Sequence, residues 1–112
     1  MRGIAGEAQK SEMRREVIFD REARVEFEDA VEWYNEREPG LGDRFKAEVN
    51  AAIQRILKDP ERFPLRGLNV RRASVETFKK YNILFRIERD YISVAAVFHG
   101  SRNPAVLRRR LK

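Results

Sequence analysis

The chain comprises 112 residues, with 24 Lys and Arg against 18 Asp and Glu, one His and no Cys. That length suits a single domain whose folding removes roughly two-thirds of the unfolded surface from water, so one core can form without staples. The absent cysteine excludes a disulfide framework, a thiol nucleophile and a Cys-based zinc site, and a lone histidine excludes a multi-His metal centre.

Charge is unevenly distributed. Residues 1–60 hold 11 basic and 14 acidic side chains while residues 61–112 hold 13 basic and four acidic, so the halves carry −3 and +9. A basic half on a small domain points to a polyanion or an acidic protein segment as partner. No apolar run approaches the roughly 20 residues of a membrane span, and residues 1–10 contain no apolar stretch suited to a signal peptide. The expected location is the cytoplasm.

Residues 1–13 mix Gly, Ala, Gln, Ser and charge without periodicity and read as a flexible tail, with Met13 a candidate natural start. A single domain is expected over residues 14–112. Its opening, Arg14-Arg15-Glu16-Val17-Ile18-Phe19, is a short strand ended by Asp20, a good helix N-cap. Ala23, Phe27, Ala30, Val31 and Tyr34 then form one helical stripe. Pro39-Gly40-Leu41-Gly42 breaks that helix, Asp43 is placed to cap a second, and Phe45, Val49, Ala52, Ile53 and Ile56 repeat the stripe before Asp59-Pro60 stops it. Two such helices make a hairpin whose apolar faces need a surface to cover.

Residues 61–69, with Pro64 and Gly67, read as a loop, and residues 70–77 as a weak strand. Two clear strands follow, with Tyr81, Ile83, Phe85 and Ile87 alternating in one and Ile92, Val94, Ala96 and Phe98 in the other. A two-residue turn at Arg89-Asp90 predicts the pairs Ile87–Ile92, Phe85–Val94, Ile83–Ala96 and Tyr81–Phe98 beneath the helices, leaving Arg86 and His99 on the opposite face. Asn103-Pro104 opens a last short helix bearing Val106, Leu107 and Leu111. The expected fold is α+β: a small, antiparallel-rich, four-stranded sheet in the order β-α-α-β-β-β, covered on one face by the helical hairpin.

The constellation most suggestive of chemistry is basic. Arg71, Arg72, Lys79, Lys80, Arg86, His99 and Arg102 surround the open sheet face in that register. Cleavage of RNA by 2′-OH attack needs a base, an acid and cations for the phosphorane charge, and this set has the residue types to supply them. Arg71, Lys79, Lys80 and the run Arg108-Arg109-Arg110 are candidates for gripping a nucleic acid or another target. Trp33, at the edge of the first stripe, is a candidate anchor for a partner. The first-helix carboxylates Glu22, Glu26, Glu28, Asp29, Glu32 and Glu36 read as a solvated face with local ion pairs rather than a metal site. The sequence holds no Gly-rich phosphate loop and no Ser-centred elbow, and no cofactor or metal is expected.

Taken in order, several stretches resemble the RelE/ParE superfamily of type II toxin–antitoxin toxins, also known as plasmid stabilisation proteins. They are Glu16-Val17-Ile18-Phe19, Trp33-Tyr34, Pro39-Gly40-Leu41-Gly42, Ile56-Leu57-Lys58-Asp59-Pro60, Arg72, the run from Phe78 to Arg86, and Val94 through His99 to Pro104. The ending His99-Gly100-Ser101-Arg102-Asn103-Pro104 is similar to the ParE-type branch. The resemblance covers about 95 residues and implies a growth-inhibiting toxin neutralised by an antitoxin that wraps its helices and sheet. ParE-like members inhibit DNA gyrase; RelE-like members cleave mRNA on the ribosome with basic residues of the open face, which Arg72, Arg86, His99 and Arg102 best match here, often aided by a C-terminal Tyr. This chain has Leu107-Arg108 in that Tyr's place, which counts against cleavage. The resemblance thus implies a gyrase inhibitor first, an mRNA endonuclease second, and third a non-toxic module that binds only antitoxin or nucleic acid.

Overall fold

The computed structural model describes residues 16–78, 80–101 and 104–111. The expected tail, together with Lys79 and Arg102 of the candidate site, lies outside the described residues. Strand β1 (Glu16–Phe19) leads into helices α1 (Arg21–Arg37) and α2 (Leu41–Lys58) and a single 3₁₀ turn (Pro60–Arg62). Strands β2 (Arg71–Ser74), β3 (Tyr81–Ile87) and β4 (Tyr91–His99) follow, and helix α3 (Pro104–Leu111) closes the order. The sheet runs β1-β4-β3-β2, with β1 parallel to β4 and the other pairs antiparallel. The architecture is the expected α+β one. Among the described residues, no helix is long and apolar enough to cross a membrane.

Both helical stripes meet the sheet as their spacing requires. Phe45, Val49, Ala52, Ile53 and Ile56 are all buried, as are Ala23 and Ala30, and they join Ile83, Phe85, Ile92, Val94 and Val97 in one core. Phe45 sits at the centre of an aromatic cluster, its ring centroid 5.2 Å from Tyr34, 5.1 Å from Phe78 and 4.9 Å from Tyr81. Centroid separations of this size belong to edge and tilted pairs that add to simple area burial.

Asp20 stands at the N-cap of α1, but its side chain makes no cap bond and instead accepts a hydrogen bond from Ser93 Oγ at 3.0 Å. The second helix starts two residues before the expected cap. Gly40, with φ +92°, is the N-cap, and Asp43 lies in the first turn, accepting from Asn35 Nδ2. Asn35 Oδ1 accepts from the backbone N–H groups of Gly40 and Gly42, so one amide side chain organises the whole bend.

The β3–β4 register begins as expected, with Ile87 opposite Ile92 and Phe85 opposite Val94, and then slips. Leu84 pairs with Ala96, Ile83 with Val97, Asn82 with Phe98 and Tyr81 with His99, so the expected pairs Ile83–Ala96 and Tyr81–Phe98 do not form. Ala95 is the extra residue of a β-bulge, and because side chains alternate every residue, one insertion exchanges the faces beyond it. Val97 therefore enters the helix-side core. Ala96 and Phe98 turn to the other face, where with Val70 and Leu84 they are covered by Leu107 and Leu111 of α3. The face expected to be open is partly roofed.

Helix α2 lies close against α1 at Gly42. A Cβ there would collide with the Val31 carbonyl oxygen and lie 2.6 Å from Asn35 Cγ. The Gly42→Ala variant should lose about 1–3 kcal/mol, the usual cost of overpacking. Chemical denaturation of both proteins checks this expectation.

Candidate functional site

Strand β1 pairs only with Tyr91 to Val94, whereas β4 continues to His99. Beyond the bulge, the β4 edge has no neighbouring strand among the described residues, and unpaired backbone groups there would be costly once buried. Two side chains from distant parts of the chain take the missing strand's place. Glu26 Oε1 on α1 accepts from the Val97 N–H at 3.0 Å, and Arg110 Nη2 on α3 donates to the Ala95 carbonyl at 2.8 Å. The guanidinium also grips Glu26 with both arms, Nη1 to Oε2 at 2.8 Å and Nη2 to Oε1 at 3.1 Å. The Glu26 side chain is 12% exposed and that of Arg110 19%. The hydrogen bond to Glu26 raises the Arg110 pKa above its ordinary value, against the opposing effect of burial.

This pair forms one wall of a groove of about 890 Å³ between α1 and the free end of β4. Val25 and Trp33 line it from α1, and both are about half exposed. The Arg37 guanidinium lies over the Trp33 ring at 3.8 Å, and Tyr34 meets that ring edge-on. Burial raises the Tyr34 phenol above its ordinary pKa, so it is neutral throughout the physiological range. His99 stands at the groove's end, its ring perpendicular to Tyr81 with centroids 5.4 Å apart. Its Nδ1 accepts the Ser101 N–H at 3.1 Å and lies 2.8 Å from Ser101 Oγ. An acceptor at Nδ1 places the neutral ring's proton on Nε2.

Among the described residues the candidate cations do not gather at one centre: Lys80 lies beside His99 in a small pocket with Asn82, as expected, but the others lie apart. The bulge puts His99 on the helix side with Tyr81, whereas Arg72, opposite Leu84, belongs to the other face. Arg71 is spent on local structure, its Nη1 donating to the carbonyls of Glu61 and Phe63 at 3.0 and 2.7 Å. Arg86 donates from Nε to Leu68 O at 3.3 Å and from Nη2 to Leu111 O. Arg72, Lys80, Arg108 and Arg109 are exposed.

Glu26 corrects one reading of the sequence. It is not part of a solvated acidic face, and its partner lies 84 positions away. The signal was present in the spacing, because Glu26 follows Ala23 by three and precedes Ala30 by four, inside the apolar stripe. What spacing could not reveal was that a β4 amide and a distant arginine would meet it there.

A family model described as the ParE toxin of type II toxin–antitoxin systems matches residues 17–104. The chain belongs to the ParE toxin family. The ParE fold is also seen in a solved chromosomal ParDE toxin–antitoxin system from P. aeruginosa, to which this chain is similar with a TM-score of 0.67 and 12% identity. That likeness covers 78% of this chain and 97% of the other. Comparison with curated protein sequences yields no significant match.

Within this ParE chain the Glu26–Arg110 pair should matter for stability. Glu26→Ala leaves a largely buried guanidinium without its counter-ion and the Val97 N–H without an acceptor. A loss of about 3 kcal/mol is expected. In urea unfolding, adding Arg110→Ala to Glu26→Ala should cost much less than the sum of the two single changes, as required of directly coupled partners.

Proposed function

We propose that this chain is the growth-inhibiting toxin of a toxin–antitoxin pair, acting on DNA gyrase and neutralised by an antitoxin segment docked in the α1–β4 groove. The observation that carries the reading is the family match over residues 17–104. The groove supports the partner assignment by its shape and chemistry. It offers a half-exposed Trp beside a half-exposed Val, rimmed by Asp29, Glu22 and Arg21, which suits an apolar anchor with a polar surround.

Gyrase inhibition is favoured over mRNA cleavage by how the cations are used. General acid–base catalysis on a phosphodiester needs its groups within hydrogen-bond reach of one reacting centre. Here Arg86 is committed to two carbonyls, and the register places His99 and Arg72 on opposite faces. Inhibition of a protein target needs no such convergence.

Inducible expression in bacteria tests the reading. Growth arrest with loss of gyrase supercoiling and unaltered mRNA 5′ ends is expected, and new mRNA ends would instead establish the nuclease. His99→Ala and Arg72→Ala should each leave arrest within about twofold of wild type. A nuclease would lose at least about tenfold, since acid–base groups typically contribute 10² or more. No arrest from soluble protein would reduce the chain to a binding module.

Trp33→Ala should weaken binding of the coexpressed antitoxin by at least about tenfold, the range for an interface anchor. Titration calorimetry on the purified pair checks it; unchanged affinity would remove the groove from the account.

A further inference from the structure

On the opposite edge of the sheet, the chain before β2 forms a narrow hairpin. Arg72 N–H donates to Pro64 O, Leu65 bridges Arg71, Arg66 N–H donates to Val70 O, and Val70 N–H closes the tip on Gly67 O. The tip residues Gly67, Leu68 and Asn69 all have positive φ, at +92°, +55° and +61°. Glycine adopts that region freely, but leucine does so only when its surroundings impose it. The surroundings do: Arg86 Nε holds the Leu68 carbonyl, Arg71 holds the base through Glu61 and Phe63, and buried Val70 anchors the returning arm.

The result is an apolar tip held out into water. Leu65 and Leu68 are 55% and 50% exposed. Arg62 and Arg66 flank them in the sequence, both exposed and with no side-chain hydrogen bond or ion pair among the described residues. Backbone strain of this kind clusters at functional sites.

We propose that this hairpin is the element that engages the toxin's protein target, with Leu65 and Leu68 entering an apolar pocket rimmed by carboxylates that meet Arg62 and Arg66. This rests on the toxin reading above. A protein is favoured over a nucleic acid because leucine offers neither the aromatic platform nor the hydrogen bonds by which bases are held. The unpaired guanidinium groups select an acidic rim. The antitoxin groove lies beside β4, with β3 and β2 between it and the hairpin.

The test uses the full chain with Leu65→Ser and Leu68→Gly combined. Glycine suits the left-handed φ at position 68, so the melting temperature should hold or rise while the apolar contact is lost. Growth arrest should then need at least tenfold more inducer than wild type, at equal soluble protein. Should the double variant melt earlier, Leu65→Ser alone, outside the left-handed tip, is read instead and should also shift the inducer requirement. Arrest equal to wild type in these variants overturns the proposal. So does a result in which only Arg62→Ser with Arg66→Ser relieves arrest, which would mark a polyanion site. A wild-type chain that fails to arrest growth overturns the toxin reading and this one together; a wild type that arrests beside an equally potent leucine variant overturns this one alone.

Discussion

A single inserted residue in β4 decides what every later side chain of the sheet can do. Up to Val94 the strand is sandwiched between β1 and β3, and its alternation serves the helix-side core. At Ala95 the bulge adds one residue just where β1 ends, and the alternation reverses. Val97 becomes core, Phe98 goes beneath α3, and His99 turns to Tyr81 and the groove. Without the bulge, Phe98 would lie under the helical hairpin and His99 would join Arg72 on the far face. The second apolar cluster, the seat of α3 and the separation of the cations all depend on this slip.

The same place creates an exposed strand edge, which natural sheets must pair, cover or charge. Here the cover is a charged pair rather than a strand. A largely buried carboxylate and guanidinium repay their desolvation only when remaining donors and acceptors are also satisfied. Glu26 and Arg110 meet that condition by bonding to each other and to one backbone group apiece on β4. The pair fastens α1 and α3 to the strand end that lines the groove.

Much of the fold was legible because it follows from periodicity. The five-position stripes of α1 and α2 are both realised, and so are the first pairs of the β3–β4 hairpin. The functional surfaces were less legible for physical reasons. A bulge at Val94-Ala95-Ala96 leaves almost no trace in an apolar run, where either register buries similar side chains. Arg71, Arg86 and Arg110 look alike in a sequence, yet each donates to backbone oxygens that only the folded chain brings near. Leu65 and Leu68 lay in a segment read as a plain loop, because nothing in a Gly-Leu-Asn run announces that three successive residues will be left-handed.

Helix α3 links the two edges of the molecule. Through Arg110 it reaches Glu26 and the groove, and through the Leu111 carbonyl it meets Arg86, which also holds Leu68 in the hairpin tip. Helix C-terminal carbonyls carry partial negative charge, so a guanidinium is a fitting cap for them. Arg86 is thus a structural cation sharing its donors between a helix end and a strained turn. Lysine in its place would keep the charge but lose the planar fork that serves two divergent acceptors. The basic half of the chain therefore divides into cations that build the fold and cations left for partners. Arg71, Arg86 and Arg110 belong to the first group; Arg62, Arg66, Arg72, Lys80, Arg108 and Arg109 remain at the surface. Net charge alone could not make that division, because only the acceptors around each guanidinium determine how much of its field reaches the solvent.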